Sequence, residues 1–201
     1  YTTVETFNLN TGIGNDTING SATADYANTN INNTGPNNGN EIVNLTTTGV
    51  DSNVVIKTVA GTATLTVADT GADSFLTLWT AGAADTITIQ DIGANSRVEV
   101  KAYAGDDQIN LWASGSGSLI DLFAGEGDDT LTLGSSAPSL AGLLGTVYGM
   151  GDQHANGGDT INILDSGDTA DNTYFLTSST FQRMGGGLVS YTTFEYLNVT
   201  T

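Results

Sequence analysis

Apolar and polar residues alternate along this chain in short runs, and the runs return at a fixed spacing. A five-residue pattern of an acid, any residue, an apolar residue, Asn or Thr, and a second apolar residue recurs at Glu5–Leu9, Glu41–Leu45, Asp85–Ile89, Asp107–Leu111, Asp129–Leu133, Asp159–Ile163 and Glu195–Val199. Ala63–Val67 is a further copy with Ala in place of the acid. The copies at 41, 63, 85, 107 and 129 step by 22, and the other intervals are 36, 30 and 36. One short strand at the same phase of a fixed period is the signature of a solenoid. The three longer intervals predict coils that carry insertions.

A second alternating run follows 13 residues after the start of each regular copy, at Val54 and Ile56, Leu76 and Leu78, Val98 and Val100, and Ile120 and Leu122; Ile18 keeps that phase. Successive strand side chains face opposite ways, so each run has an inward and an outward face. The inward column of the first strand reads Val43, Leu45, Leu65, Val67, Ile87, Ile89, Ile109, Leu111, Leu131, Leu133, Ile161 and Ile163, all aliphatic. Between them stand Asn44, Thr66, Thr88, Asn110, Thr132 and Asn162, suited to a wet outer face. No segment sustains a 3.6-residue apolar period for three turns. The expected fold is all-β: a right-handed parallel β-helix, or β-solenoid, of about seven 22-residue coils. Handedness follows the usual preference for right-handed crossovers. Residues 1–201 form one module, with inserted loops near 20–40, 149–158 and 164–190.

The ends carry a second repeat. Tyr1–Asn10 reads almost as Tyr191–Thr200, an offset of 190. Solenoids ordinarily end in polar caps, because a bare coil exposes unpaired backbone. No cap is evident at either end, which suggests one period of about 190 residues that stacks head to tail on further copies, covalently or not.

Composition narrows the partners. The chain has 22 Asp plus Glu against 4 Lys plus Arg, a formal charge of −18. Nucleic acid and anionic membrane are poor partners for it, and no apolar run is long enough to span a bilayer. Cysteine is absent, which fits an extracellular protein held together by something other than disulfides.

The acids cluster in the turns that precede the first strand. Ala102–Asp107 and Ala124–Asp129 occupy the same phase in adjacent coils, which sets their carboxylates about one strand spacing, roughly 4.8 Å, apart. Thr11–Asp16 and Tyr148–Asp152 repeat a Gly-x-Gly-x-Asp pattern, and Asp159 precedes the next strand. Glycine permits positive φ, and acids and carbonyls supply the hard oxygens that Ca²⁺ takes. A merely solvated acidic edge would look the same in sequence. Asp85 has Ala83 and Ala84 where its neighbours have Gly and Asp, and is expected to be a weaker site or none.

At Gly125–Leu131 and Gly12–Ile18 the chain resembles the calcium-binding repeats of RTX proteins. The resemblance implies Ca²⁺ held by Asp106, Asp107, Asp128, Asp129 and Asp16. It departs from that family in its period, 22 residues rather than 18, and in having one glycine turn per coil. The closing segment Phe194–Val199 resembles the tandem repeats of bacterial surface adhesins and filaments. Asp165, Asp168 and Asp171, three residues apart, form a further candidate cation loop without the EF-hand pattern.

Two outer faces offer other readings. The Thr64/Thr66, Thr86/Thr88 and Thr130/Thr132 pairs resemble the ice-binding face of β-helical antifreeze proteins, interrupted by Gln108, Asn110 and Asn162; Thr also favours exposed strands. Lys57, Trp79, Lys101 and Phe123 recur at intervals of 22 on the second strand, a column able to form a cation–π ladder or to stack on a sugar ring or another protein. Parallel β-helices also include polysaccharide lyases and hydrolases, which would need one groove holding a few acids and a basic partner. His154, the sole histidine, stands in a glycine-rich loop and reads as solvated. The acids recur with the coil, whereas an active site is a unique constellation. The expectation is therefore not an enzyme but an extracellular or bacterial cell-surface module, stabilised by Ca²⁺, whose partners are its own copies and possibly surface glycans. The alternative is a polysaccharide-binding or polysaccharide-degrading β-helix, and a further one is an ice-binding protein.

Overall fold

A computed structural model describes residues 5–33, 39–134, 137, 139–154 and 157–201. These form strands and turns with no helix. Tyr1 to Val4 of the amino-terminal repeat segment, and Pro36, lie outside the described residues.

The strands come in successive pairs: β1 (Thr6–Thr11) with β2 (Asp16–Gly20), β3 (Asn28–Asn33) with β4 (Glu41–Leu45), β5 (Asn53–Lys57) with β6 (Ala63–Val67), and β7 (Phe75–Trp79) with β8 (Thr86–Ile89). They continue as β9 (Arg97–Lys101) with β10 (Gln108–Leu111), β11 (Leu119–Glu126) with β12 (Thr130–Leu133), and β13 (Thr146–Gln153) with β14 (Thr160–Leu164). A hairpin, β15 (Tyr174–Leu176) and β16 (Thr180–Arg183), precedes the last pair, β17 (Leu188–Thr192) and β18 (Tyr196–Thr200). First members of the pairs stack into a sheet of order β1-β3-β5-β7-β9-β11-β13-β17, extended by β16 and β15; second members form the sheet β18-β14-β12-β10-β8-β6-β4-β2. The pairings from coil to coil are parallel, and the antiparallel pairings, β15 with β16 and β16 with β17, belong to the hairpin. This is a β-solenoid.

The 22-residue period appears directly as register: Leu65 pairs with Ile87, Ile87 with Ile109, and Ile109 with Leu131. All twelve aliphatic residues of the expected inward column are buried, as are Val54, Ile56, Leu76, Leu78, Val98, Val100, Ile120 and Leu122 from the opposite sheet. Each such side chain contributes roughly 1.5–3 kcal/mol of transfer free energy, and none could do so in a lone coil.

The corner entering the first-member strands is built from small residues at the same period. Ser52, Ser74 and Ser96 each donate their N–H to the hydroxyl of the serine one coil on, at 3.1–3.3 Å. Their hydroxyls reach back to the carbonyls of Ala24, Gly49 and Gly71. Beside them Gly49, Gly71, Gly93 and Gly115 let the backbones meet: a Cβ on Gly93 would lie 2.5 Å from the Gly71 carbonyl carbon. Asp51, Asp73 and Asn95 turn this corner at φ of 56–57°, a conformation that Asn and Asp tolerate better than most residues.

Four expectations are corrected. Glu5–Leu9 does not begin the first-strand column: Leu9 pairs with Ile31 in the longer sheet, while Ile18 pairs with Val43 in the other. The excursion near 20–40 contains a full core strand, β3, whose Ala27, Thr29, Ile31 and Asn33 flank or form its buried side. The insertion near 149–158 begins inside β13, which runs to Gln153. The segment 164–190 supplies a cap, since β16 and β15 cover the edge of β17 and bury Phe181 against Tyr174 at a 5.8 Å ring separation. The matching segments at the two ends also fall in different sheets, β1 in the longer and β18 in the shorter.

Candidate functional site

The acids before the second-member strands form a ladder. Asp85 accepts the N–H of Ala63, Asp107 that of Asp85, Asp129 that of Asp107 and Asp159 that of Asp129, each through Oδ1 at 2.6–2.8 Å. Glu195 ends the column by accepting the N–H of Asp159 at 2.8 Å. Asp85, Asp107, Asp129 and Asp159 are all buried. Their Oδ2 atoms, and that of Asp16, are buried with no hydrogen-bond partner. Burial pushes the Asp107 carboxyl up to about 7 and Asp129 to about 6, with neighbouring acids adding to both shifts. Asp85 and Asp159 are raised for the same first reason. Asp16 pairs in register with Glu41, whose carboxyl burial and then Asp16 push upward, and which accepts from the Asn33 amide. Asp85, with Ala83 and Ala84 where Asp107 has Gly105 and Asp106, joins this hydrogen-bond ladder as its neighbours do.

A second row lies further out. Asp106 is exposed and accepts the N–H of Asp128 at 3.0 Å, and Asp128 accepts the N–H groups of Gly157 and Gly158 at 2.8 and 3.0 Å. Both rows thus join one coil to the next through charge-assisted bonds, which are stronger than neutral ones. Among the described residues no three acidic or histidine side chains converge as a metal cage. The ladder offers the hard carboxylate oxygens that Ca²⁺ takes.

The cluster at 165–171 is divided. Buried Asp165 accepts the Leu140 N–H and the Tyr174 hydroxyl, each at 2.8 Å, and lies 3.1 Å from Arg183 Nε. Asp168 pairs with the same guanidinium, and Asp171 is exposed. Arg183, on β16, meets the charge of the first two and joins this loop to the capping hairpin. His154 Nδ1 stands 3.3 Å from Glu195.

On the outer face of the longer sheet the expected column is in place. Lys57 Nζ sits 3.7 Å above the Trp79 ring centre, and Lys101 Nζ lies 4.9 Å from Trp79 and 5.7 Å from Phe123. The column runs on in register to Met150, and Tyr148, from the neighbouring column, lies edge-on to Phe123 at 6.2 Å. Glu99 ties it together, accepting from Lys101 at 3.0 Å and from the Trp79 indole at 2.9 Å; these bonds, that to Lys101 foremost, hold its carboxyl below the usual range. Arg97 pairs with Asp121 on the same face at 3.0 Å. Three of the four basic residues of this acidic chain are thus gathered on one sheet face.

Two clefts flank the column. One of 370 Å³ is lined by Lys101, Tyr103, Phe123, Gly125, Glu126, Asp152 and Gln153. The other, of 360 Å³, is lined by residues that include Lys57, Val59, Trp79 and Tyr103. Sequence reading missed Tyr103, Glu126 and Gln153, because they fall just past the alternating run, where no periodic signal marks them. On the shorter sheet, Asn44 donates to Asn19, Asn198 to Asn162 and Asn110 to Thr88. Asn110 and Asn162, which interrupt the Thr face, therefore bond to neighbouring coils.

No family model, curated protein or solved structure matches this chain. Its function is read from its own residues.

Proposed function

We propose that the chain is a structural and adhesive module of the bacterial cell surface or extracellular space, a stiff spacer that stacks on copies of itself. The carboxylate ladder carries this reading. Asp85, Asp107, Asp129 and Asp159 repeat one bond per coil, which builds a rod, whereas catalysis needs one unrepeated constellation. Copies would meet through β18 of one and β2 of the next, since the β15–β16 hairpin covers the equivalent edge of the longer sheet. Tyr196 and Val199 are exposed on β18, where an unpaired strand edge is a ready template for another chain.

Ca²⁺ belongs to the same reading, in line with the RTX-like turns. Asp16, Asp106, Asp107, Asp128, Asp129, Asp152 and Asp159 would hold it along the acidic edge, with neighbouring carbonyls or a second copy completing its shell. When bound it would supply positive charge against a net −18 and stabilise the folded coils by linkage. Particle sizing across protein concentration, with Ca²⁺ and with chelator, tests the assembly. Growth into longer particles is the expected result; a monomer under every condition would overturn it.

A further inference from the structure

Tyr103 and Asp152 both adopt left-handed backbone, at φ of 73° and 79°. Neither is glycine, and a bulky residue there is an outlier that costs of order 1–3 kcal/mol. Both line one cleft. The Glu126 N–H donates to the Tyr103 carbonyl at 2.6 Å, and Gly125 pairs in register with Asp152. Gly125 therefore stands between them in the stack, and it cannot carry a side chain, because a Cβ would lie 2.0 Å from the Tyr103 oxygen. Gly125 lines the 370 Å³ cleft. Its walls are the Tyr103 and Phe123 rings, and its rim carries Lys101, Glu126, Asp152 and Gln153. Asp accepts this backbone readily, whereas the strain at Tyr103, a wall residue of the cavity, points to a site rather than to a turn that simply tolerates it.

The chemistry of that lining is specific. The exposed Tyr103 ring and the half-buried Phe123 ring, beside carboxylate, amide and ammonium groups, match a pyranose ring, which offers an apolar C–H face to stack and hydroxyls that both donate and accept. The cleft lies within the roughly 300–1,000 Å³ of small-ligand sites. The second cleft, of 360 Å³, shares Tyr103 as a wall and has Lys57, Val59 and Trp79 in its lining, so successive units of one extended chain can occupy both.

We propose that this face binds an uncharged polysaccharide, with Tyr103 and Phe123 as stacking platforms and Glu126 and Gln153 as hydroxyl partners. Charge decides against an acidic one. Lys101 is paired with Glu99 at 3.0 Å, Lys57 lies over Trp79, and the chain is strongly anionic. The face binds without cleaving: a glycosidase needs a general acid kept protonated by its surroundings, and Glu126 and Asp152 are both exposed. The proposal deepens the adhesive part of the function above. A rod that bound no sugar would still show its assembly and Ca²⁺ response, so the two can fail separately.

The test is affinity electrophoresis of the whole chain through gels containing mixed-linkage β-glucan, galactomannan, dextran or polygalacturonate, alongside a reducing-end assay. Retardation by at least one uncharged polymer, with no release of reducing ends, is expected. Phe123→Ala and Tyr103→Gly should each weaken binding by about tenfold or more, the equivalent of one lost stacking contact. Tyr103→Gly should keep or raise the melting temperature, because glycine accepts its backbone; this separates lost binding from lost fold. Retardation by polygalacturonate alone, no retardation by any polymer, sugar release, or unchanged binding in both folded variants would overturn the proposal.

Discussion

Asp107 accepts the backbone N–H of Asp85 through Oδ1 at 2.7 Å, while its Oδ2 is buried with no partner. One oxygen joins two coils, and the other is an unmet acceptor. The two substitutions at this site should therefore diverge. Asp107→Ala leaves the Asp85 amide orphaned and should cost about 1–3 kcal/mol. Asp107→Asn keeps the acceptor and removes the buried charge, so at pH 8 it should match or exceed the parent. Denaturant unfolding at pH 8 in chelator checks both.

The same buried acids set a pH dependence. Asp107 and Asp129 are raised to about 7 and about 6, above the ~3.9 of an unfolded Asp. Between those values the folded state holds protons that the unfolded chain has lost, so this contribution is fully present below about pH 4 and is lost as pH rises through about 6 and 7. Glu99 and Asp168 are shifted downward, and their contribution is lost only in stronger acid. In chelator, melting temperature should therefore fall from pH 5 to pH 8. Asp107→Asn should flatten that slope; a parent whose stability rises over the interval would contradict the assignment.

Gly93 stacks on Gly71 with no room for a methyl group, the Cβ contact being 2.5 Å to backbone. Gly93→Ala should cost about 1–3 kcal/mol or more, as overpacking does where neither neighbour can move. Gly82 meets nothing closer than 3.9 Å, so Gly82→Ala is the control and should be nearly neutral in the same unfolding experiment.

The hairpin cap rests on Phe181. Phe181→Ala should cost about 3–5 kcal/mol, the usual range for a buried Phe. It should also expose the edge of β17, with self-association that the parent lacks in chelator. Loss of stability without association would leave Phe181 as core only.

The coil period and inward columns were legible because Val43 to Ile163 alternate with polar residues at constant spacing, and a solenoid turns that spacing directly into register. The first coil was misread where the signal is thin. β3 offers Ile31 as the one aliphatic residue among the inward positions of the strand, between Thr29 and Asn33, so the interval from Glu5 to Glu41 looked like an insertion. The serine and glycine columns are equally periodic, yet they lie at corners where hydrophobic alternation carries no information. The acids were found at the right places with part of their work unseen: their neighbours' backbone amides, a coil away, leave no trace in sequence. The hairpin cap is likewise a tertiary fact, since Phe181 meets Tyr174 only after the chain has folded back.

The most direct measurement is a thermal melt of the parent and of Asp106→Asn/Asp128→Asn, in excess Ca²⁺ and in chelator, with particle sizing on the same samples. A calcium-stabilised stacking rod predicts a melting temperature raised by Ca²⁺, growth into longer particles, and a double variant that loses most of the rise while melting near the parent in chelator. A parent that melts alike in both solutions and stays a monomer would contradict it.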